Sequence, residues 1–140
     1  MGTIDRLEYF KLIANKGVKQ RKSHTDKEHQ LQVECVKWFR LQYPHLAHAL
    51  FAVPNGGRRD ATTGAKLKAE GALAGVSDII LLYMSGNYGA LLIEMKTKKG
   101  AQSDKQKEWQ AKITSRGEYK YVICRSFDDF KREIETYIPR

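Results

Sequence analysis

The chain has 140 residues, 41% of them hydrophobic and 29% charged, with 25 Lys+Arg against 16 Asp+Glu for a formal net charge of +9. That length holds one hydrophobic core but not two, the composition excludes a disordered or fibrous chain, and no apolar run nears the roughly 20 residues that span a bilayer. The positive field attracts polyanions, which makes nucleic acid the expected partner; the basic residues do not collect on one strongly amphipathic helix, which argues against a membrane surface.

Residues 1 to 23 read as a basic N-terminal extension, separate from a domain over residues 24–140. A short helix is expected over residues 3 to 14, then a basic arm through Lys16 to Lys22. The N-terminal residues lack the basic-then-apolar layout of a secretory signal. The first strong helix opens at the capping-box pattern Thr25-Asp26-Lys27-Glu28 and carries Leu31, Cys35, Trp38 and Gln42 on one stripe, widened by Val36 and Phe39, until Pro44 stops it. A strand at residues 48–53 meets the turn Pro54-Asn55-Gly56-Gly57. A short helix is expected from Ala65 to Ala72, followed by strands at 77–84 and 90–97 joined tightly by Ser85-Gly86-Asn87-Tyr88-Gly89, hence a hairpin. Ser103-Asp104-Lys105-Gln106 announces another capped helix, ended at Gly117. Tyr119 to Cys124 reads as the fourth strand, and Ser126 caps a last helix to about Ile138. The order predicts an α/β domain with a mixed sheet of about four strands flanked by helices. Cys35 and Cys124, with no CxxC, make a disulfide scaffold or zinc site improbable and point to a reducing, cytoplasmic setting. The four histidines show no metal-ligand spacing.

The chemistry concentrates around Asp78 and Glu94-Met95-Lys96. Residues two apart on a strand share a face, so Glu94 and Lys96 face the same way at the end of one apolar run, while Asp78 opens the neighbouring run. Phosphodiester hydrolysis needs a water delivered to phosphorus and negative charge stabilised on the phosphate. A hard divalent cation on one or two carboxylates answers both needs. On this reading Asp78, Glu94 and the main-chain carbonyl of Met95 hold Mg²⁺ (or Mn²⁺), and Lys96 serves the attacking water.

Gly75-Val76-Ser77-Asp78 followed by Ile93-Glu94-Met95-Lys96 resembles the PD-(D/E)xK nuclease superfamily, with Ser77 in the place of the usual proline. Within it the pattern is most similar to the VRR-NUC family, to which Glu34 on the first helix, Pro54-Asn55-Gly56, Gly71 and Gln106 before Trp109 also correspond. The resemblance implies a restriction-endonuclease-like core and a Mg²⁺- or Mn²⁺-dependent endonuclease for branched, junction, flap or nicked DNA. It further implies a homodimer similar to Holliday-junction resolvases and a bacterial or phage-infected cytoplasm. The roles carried over are metal ligation by Asp78 and Glu94, catalysis by Lys96, and support from Glu34 and Gln106. Glu34 lies on the side of the apolar stripe, where a carboxylate must be paired, metal-bound or at a cleft edge. Gln106 has a competing structural job as the N3 residue of the Ser103 box. Arg58, Arg59, Lys66, Lys68, Lys98, Lys99 and Lys105 flank this region and are expected to grip DNA phosphates, which positions DNA without reading sequence. Two other readings stand beside this one: a non-catalytic nucleic-acid-binding module, motivated by charge, and a sequence-specific restriction-type nuclease.

Overall fold

The hydrophobic pattern of the central segments dictates the architecture. All six residues of Ala90–Met95 are apolar except Glu94, a pattern that suits a strand covered on both faces. In the computed structural model, which describes residues 5–8, 24–54 and 61–139, this segment is β3 and is buried throughout. It is flanked by β2 (Ile79–Leu81) and β4 (Tyr119–Cys124), with β1 (Leu50–Ala52) at the edge beyond β2. β1 pairs with β2 and β2 with β3 antiparallel, whereas β3 and β4 run parallel. A parallel pair requires a crossover. The helix α3 (Asp104–Thr114) supplies it, after α1 (His24–Gln42) and α2 (Ala61–Ala69) earlier in the chain. The chain closes on α4 (Phe127–Tyr137).

Alternation along the strands splits the sheet into two unlike faces. Ile79, Leu81, Leu91, Ile93, Met95 and Cys124 point into one core with Cys35, Trp38 and Phe39 of α1 and Phe127, Phe130 and Ile134 of α4. Trp38 anchors this layer, meeting Phe127 edge-on at 5.7 Å and Phe130 at 6.2 Å between ring centroids. Such pairs contribute about 0.5–1.5 kcal/mol each beyond their buried area. The predicted stripe on the first helix is therefore its core face. On the other side of the sheet α3 lies against β4, with Trp109 6.1 Å from Tyr121.

Several predicted boundaries move for identifiable reasons. The second strand stops at Leu81 because the Tyr83 N–H turns back to the Leu81 carbonyl at 3.1 Å. The short helix covers Ala61–Ala69 rather than 65–72. Its end is a Schellman motif, with Ala72 N–H on Leu67 O (2.8 Å), Gly71 N–H on Lys68 O (3.1 Å) and Gly71 at φ +109°. The first helix is described from His24, one residue before the expected cap at Thr25. The Ser103 capping box forms as read: Ser103 Oγ accepts from Gln106 N–H at 3.2 Å, and Gln106 Oε1 accepts from Ser103 N–H at 2.8 Å. Ser126 Oγ likewise accepts from Asp129 N–H at 3.0 Å. Of the expected helix over 3 to 14, residues 6–8 are helical, Asp5 precedes that helical turn, and the rest lie outside the described residues.

Gly75 fixes where α3 sits. Its φ is +90°, and a Cβ built on it would come 2.5 Å from the Lys105 carbonyl oxygen and 3.2 Å from the Gln106 amide nitrogen. The turn leading to β2 thus abuts the first turn of α3, an approach that any side chain would block. Gly71 shares the positive φ but has open space around it. Gly71→Ala is expected to cost about 1–2 kcal/mol from backbone strain. Gly75→Ala should cost roughly 1–3 kcal/mol more, because α3 must shift. Urea unfolding of both variants checks this; equal losses would show that the close approach carries no weight.

Candidate active site

The β2–β3 register pairs Ile79 with Ile93, so one step further sets Asp78 opposite Glu94 on the same face. At this step the antiparallel ladder gives way. The Met95 N–H donates to Asp78 Oδ2 at 2.7 Å rather than to a strand carbonyl. The Asp78 main chain stays in the sheet, its carbonyl accepting from Val53 N–H at 2.8 Å. A residue's N–H and C=O point to the same edge of an extended strand, which turns the Met95 carbonyl toward Asp78 as well. Burial pushes the Asp78 carboxyl up to about 6 against the lowering effect of the Met95 hydrogen bond. The charges of Glu28 and Glu94 raise it further, and Lys96 lowers it.

Glu94 is 1% exposed, an extreme position for a carboxylate. Its Oε2 accepts from Gln102 Nε2 at 2.8 Å and from the Tyr121 hydroxyl at 2.9 Å. Gln102 also donates to Gln110 Oε1 at 2.8 Å, which ties the pair to α3. The other oxygen, Oε1, is buried without a hydrogen-bond partner and has Lys96 Nζ at 3.8 Å. Desolvation and the hydrogen bond to Glu94 raise the Tyr121 hydroxyl well above its ordinary range, so it stays a donor. After Lys96 the chain turns through residues 97–100, where Arg125 Nη1 donates to the carbonyls of Thr97 (2.9 Å) and Gly100.

The structure sorts the sequence-predicted residues. Asp78, Glu94, Lys96 and the Met95 main chain come together as expected. The helix carboxylate does not: Glu34 lies with Arg6 and Asp128, where burial raises its pKa and the Arg6 charge opposes the rise. The α1 carboxylate whose charge acts on Asp78 is Glu28. Six residues separate the two, about 9 Å along the axis and roughly a third of a turn around it. Gln106 spends its Oε1 in the capping box, and the glutamine that reaches Glu94 is Gln102. Sequence reasoning missed Glu28, Gln102 and Tyr121; the available signal for the last was its place on β4 across from Leu92, on the Glu94 face. Lys98 and Lys99 are exposed just after Lys96, Lys105 on the first turn of α3, and Lys66 and Lys68 on α2. Arg58 and Arg59 lie outside the described residues.

Among the described residues no three His, Cys, Asp or Glu side chains converge on one point. The donors available to a cation are two carboxylates and a main-chain carbonyl, with the unpartnered Glu94 Oε1 among them. Hard oxygen donors in that number suit Mg²⁺ or Mn²⁺, which keep several waters, better than zinc.

Residues 22–128 match the family model of the VRR-NUC domain. The chain belongs to the VRR-NUC family. A solved structure titled VRR_NUC domain protein shares its fold with a TM-score of 0.68 and 24% identity, over 85% of this chain and 91% of that one. No curated protein matches the chain. It is thus a nuclease-type domain with the α/β architecture of that structural neighbour, and no helix among the described residues is long and apolar enough to cross a membrane. In this VRR-NUC domain the Asp78 pKa of about 6 lies above its ordinary 3.8. The protonated form therefore favours folding fully below about pH 4, and that advantage is lost as pH rises through 6. Asp78→Asn removes the ionisation. In EDTA it should melt higher than wild type at pH 7.5, with the difference vanishing below pH 4; a lower melting temperature at pH 7.5 would refute the assigned burial.

Proposed function

We propose that this domain is a metal-dependent DNA endonuclease that hydrolyses phosphodiester bonds and selects its substrate by shape. The observation that carries the reading is the pairing of Asp78 with a buried Glu94 whose Oε1 is unpartnered, with Lys96 Nζ 3.8 Å away. Asp78, Glu94 and the Met95 carbonyl would hold Mg²⁺ or Mn²⁺. Such a cation, when bound, stabilises charge on the phosphate and makes its water a better nucleophile.

The protein groups do the rest. Gln102 and Tyr121 hold one Glu94 oxygen and so leave the other presented to the cleft. The Met95 N–H holds the Asp78 carboxylate at the β3 edge. Lys96, on the same face as Glu94, orients the attacking water against the scissile phosphate. Glu28, from the start of α1, adds negative charge at Asp78 and strengthens the site for a cation. Lys98, Lys99 and Lys105, with Lys66 and Lys68 on α2, grip the phosphates on either side without reading bases. Phosphate contacts of that kind favour selection by shape over selection by sequence.

A homodimer is part of the proposal. β1 is a sheet edge, and Phe51, Leu82 and Met84 stand exposed at that end of the sheet. An open edge beside exposed apolar side chains suits a second copy of the chain. Sedimentation equilibrium should return twice the chain mass, and Leu82→Asp should return it to the monomer.

Activity is tested on duplex, nicked, flap, fork and four-way junction DNA with Mg²⁺, Mn²⁺ or EDTA. Branched substrates should be cut in either metal and none in EDTA. Glu94→Ala should reduce cutting to background, and Lys96→Ala should lower it by about 10²–10⁴-fold. Glu28→Gln should weaken Mn²⁺ binding roughly 10–100-fold, as other groups that support metal ligands do. Glu34→Gln should leave metal affinity unchanged. DNA binding with no product in any metal would instead support a binding module, and discrete fragments from plain duplex a restriction-type enzyme.

A further inference from the structure

Close in the chain to Asp78 the molecule has a concavity, lined by Leu73 and Ala74 from the turn before β2 and by Lys105, Glu108, Trp109 and Lys112 from α3. The same turn carries Gly75, whose backbone abuts Lys105 and Gln106, and runs directly into Asp78. Trp109 packs on Tyr121, which donates to Glu94, so the floor of this groove and the catalytic carboxylate share one stack of side chains. The groove and the candidate active site are thus built on common parts.

The lining has an unusual combination of groups. Leu73 is 58% exposed, although it lies beside a partly buried tryptophan. Lys105 and Lys112, two turns apart, stand on the same side of α3 as Trp109. Glu108 is engaged by Lys112 at 2.8 Å, and Lys105 makes no ion pair among the described residues. The groove therefore keeps a net positive charge around an apolar and aromatic floor. Phosphates answer the charge and base faces answer the floor, whereas in duplex DNA the base faces are already stacked on each other.

We propose that this groove is a subsite for unpaired nucleotides of the strand that runs on from the scissile phosphate. The inference rests on the nuclease reading for its position and on the groove itself for its chemistry. It would give the proposed selection of branched over continuous DNA a physical basis: only a strand free of its complement can place bases against Leu73 and Trp109.

The test uses the full chain in EDTA, so that nothing is cut. The chain has two tryptophans, and Trp38 is 0% exposed, so a change in tryptophan emission reports on Trp109. An eight-nucleotide oligothymidylate should quench that emission, and a blunt hairpin duplex should not. By polarisation of labelled DNA, Leu73→Ser and Trp109→Leu should each weaken oligothymidylate binding about tenfold or more while leaving duplex affinity unchanged. Leu73→Ser alters an exposed position, which keeps the test decisive if Trp109→Leu fails to fold. Unquenched emission with wild-type binding by Leu73→Ser overturns the proposal, and so does an equal loss for both DNA forms. Absence of metal-dependent cutting would overturn the nuclease reading and leave this binding result standing.

Discussion

Glu94 must be kept as a carboxylate in the middle of a sheet, at 1% exposure, and much of the surrounding structure answers that demand. A buried charge without partners is strongly disfavoured. Gln102 and Tyr121 meet one oxygen, and Lys96 stands near the other. Gln102 reaches Glu94 only because the chain leaves β3, turns at 97–100 and enters α3 across the same face of the sheet. Tyr121 reaches it only because β4 runs parallel to β3 in register. The layer formed by α3 is thus more than a cover for apolar surface; it carries the groups that make Glu94 tolerable. Asp78 pays a similar cost of burial, visible in its raised pKa. Placing two poorly solvated carboxylates opposite each other is a sacrifice of stability, of the kind concentrated at functional sites.

The backbone sets the geometry on which these side chains act. The antiparallel ladder of β2 and β3 yields at Asp78, and the amide it would have used goes to the Asp78 side chain. Gly75 lets the approach to β2 press against α3, and Arg125 binds the turn that follows Lys96 to the end of β4. Each tie holds a segment that bears a candidate site residue against a neighbouring element. The core on the opposite face, centred on Trp38 and the aromatic side chains of α4, holds the sheet rigid behind them.

Local patterns carried much of this in advance. The apolar stripe through Cys35 and Trp38, the Ser103 and Ser126 caps and the hairpin around Ser85–Tyr88 are short-range devices, in which the residues that specify a feature are the residues that form it. The Asp78 and Glu94-Met95-Lys96 constellation was legible for the same reason: a tight hairpin and a period of two determine which side chains share a face. The end of α2 moved because Gly71 lets the chain satisfy carbonyls by a turn the hydrophobic period does not reveal.

The sequence by itself determined the α/β order, the identity of the paired carboxylates and lysine, and the basic character of the surface. Those follow from local spacing and composition. The choice of Glu28 over Glu34, the placing of Gln102 and Tyr121 on Glu94, and the groove between Leu73 and Trp109 were decided only in the folded molecule. Each depends on how a helix is rotated or seated against the sheet. A helix offers several polar residues to its surroundings, and its own sequence does not say which will face a site; the packing of Trp38 against α4 on one side of the sheet and of α3 against Gly75 on the other does.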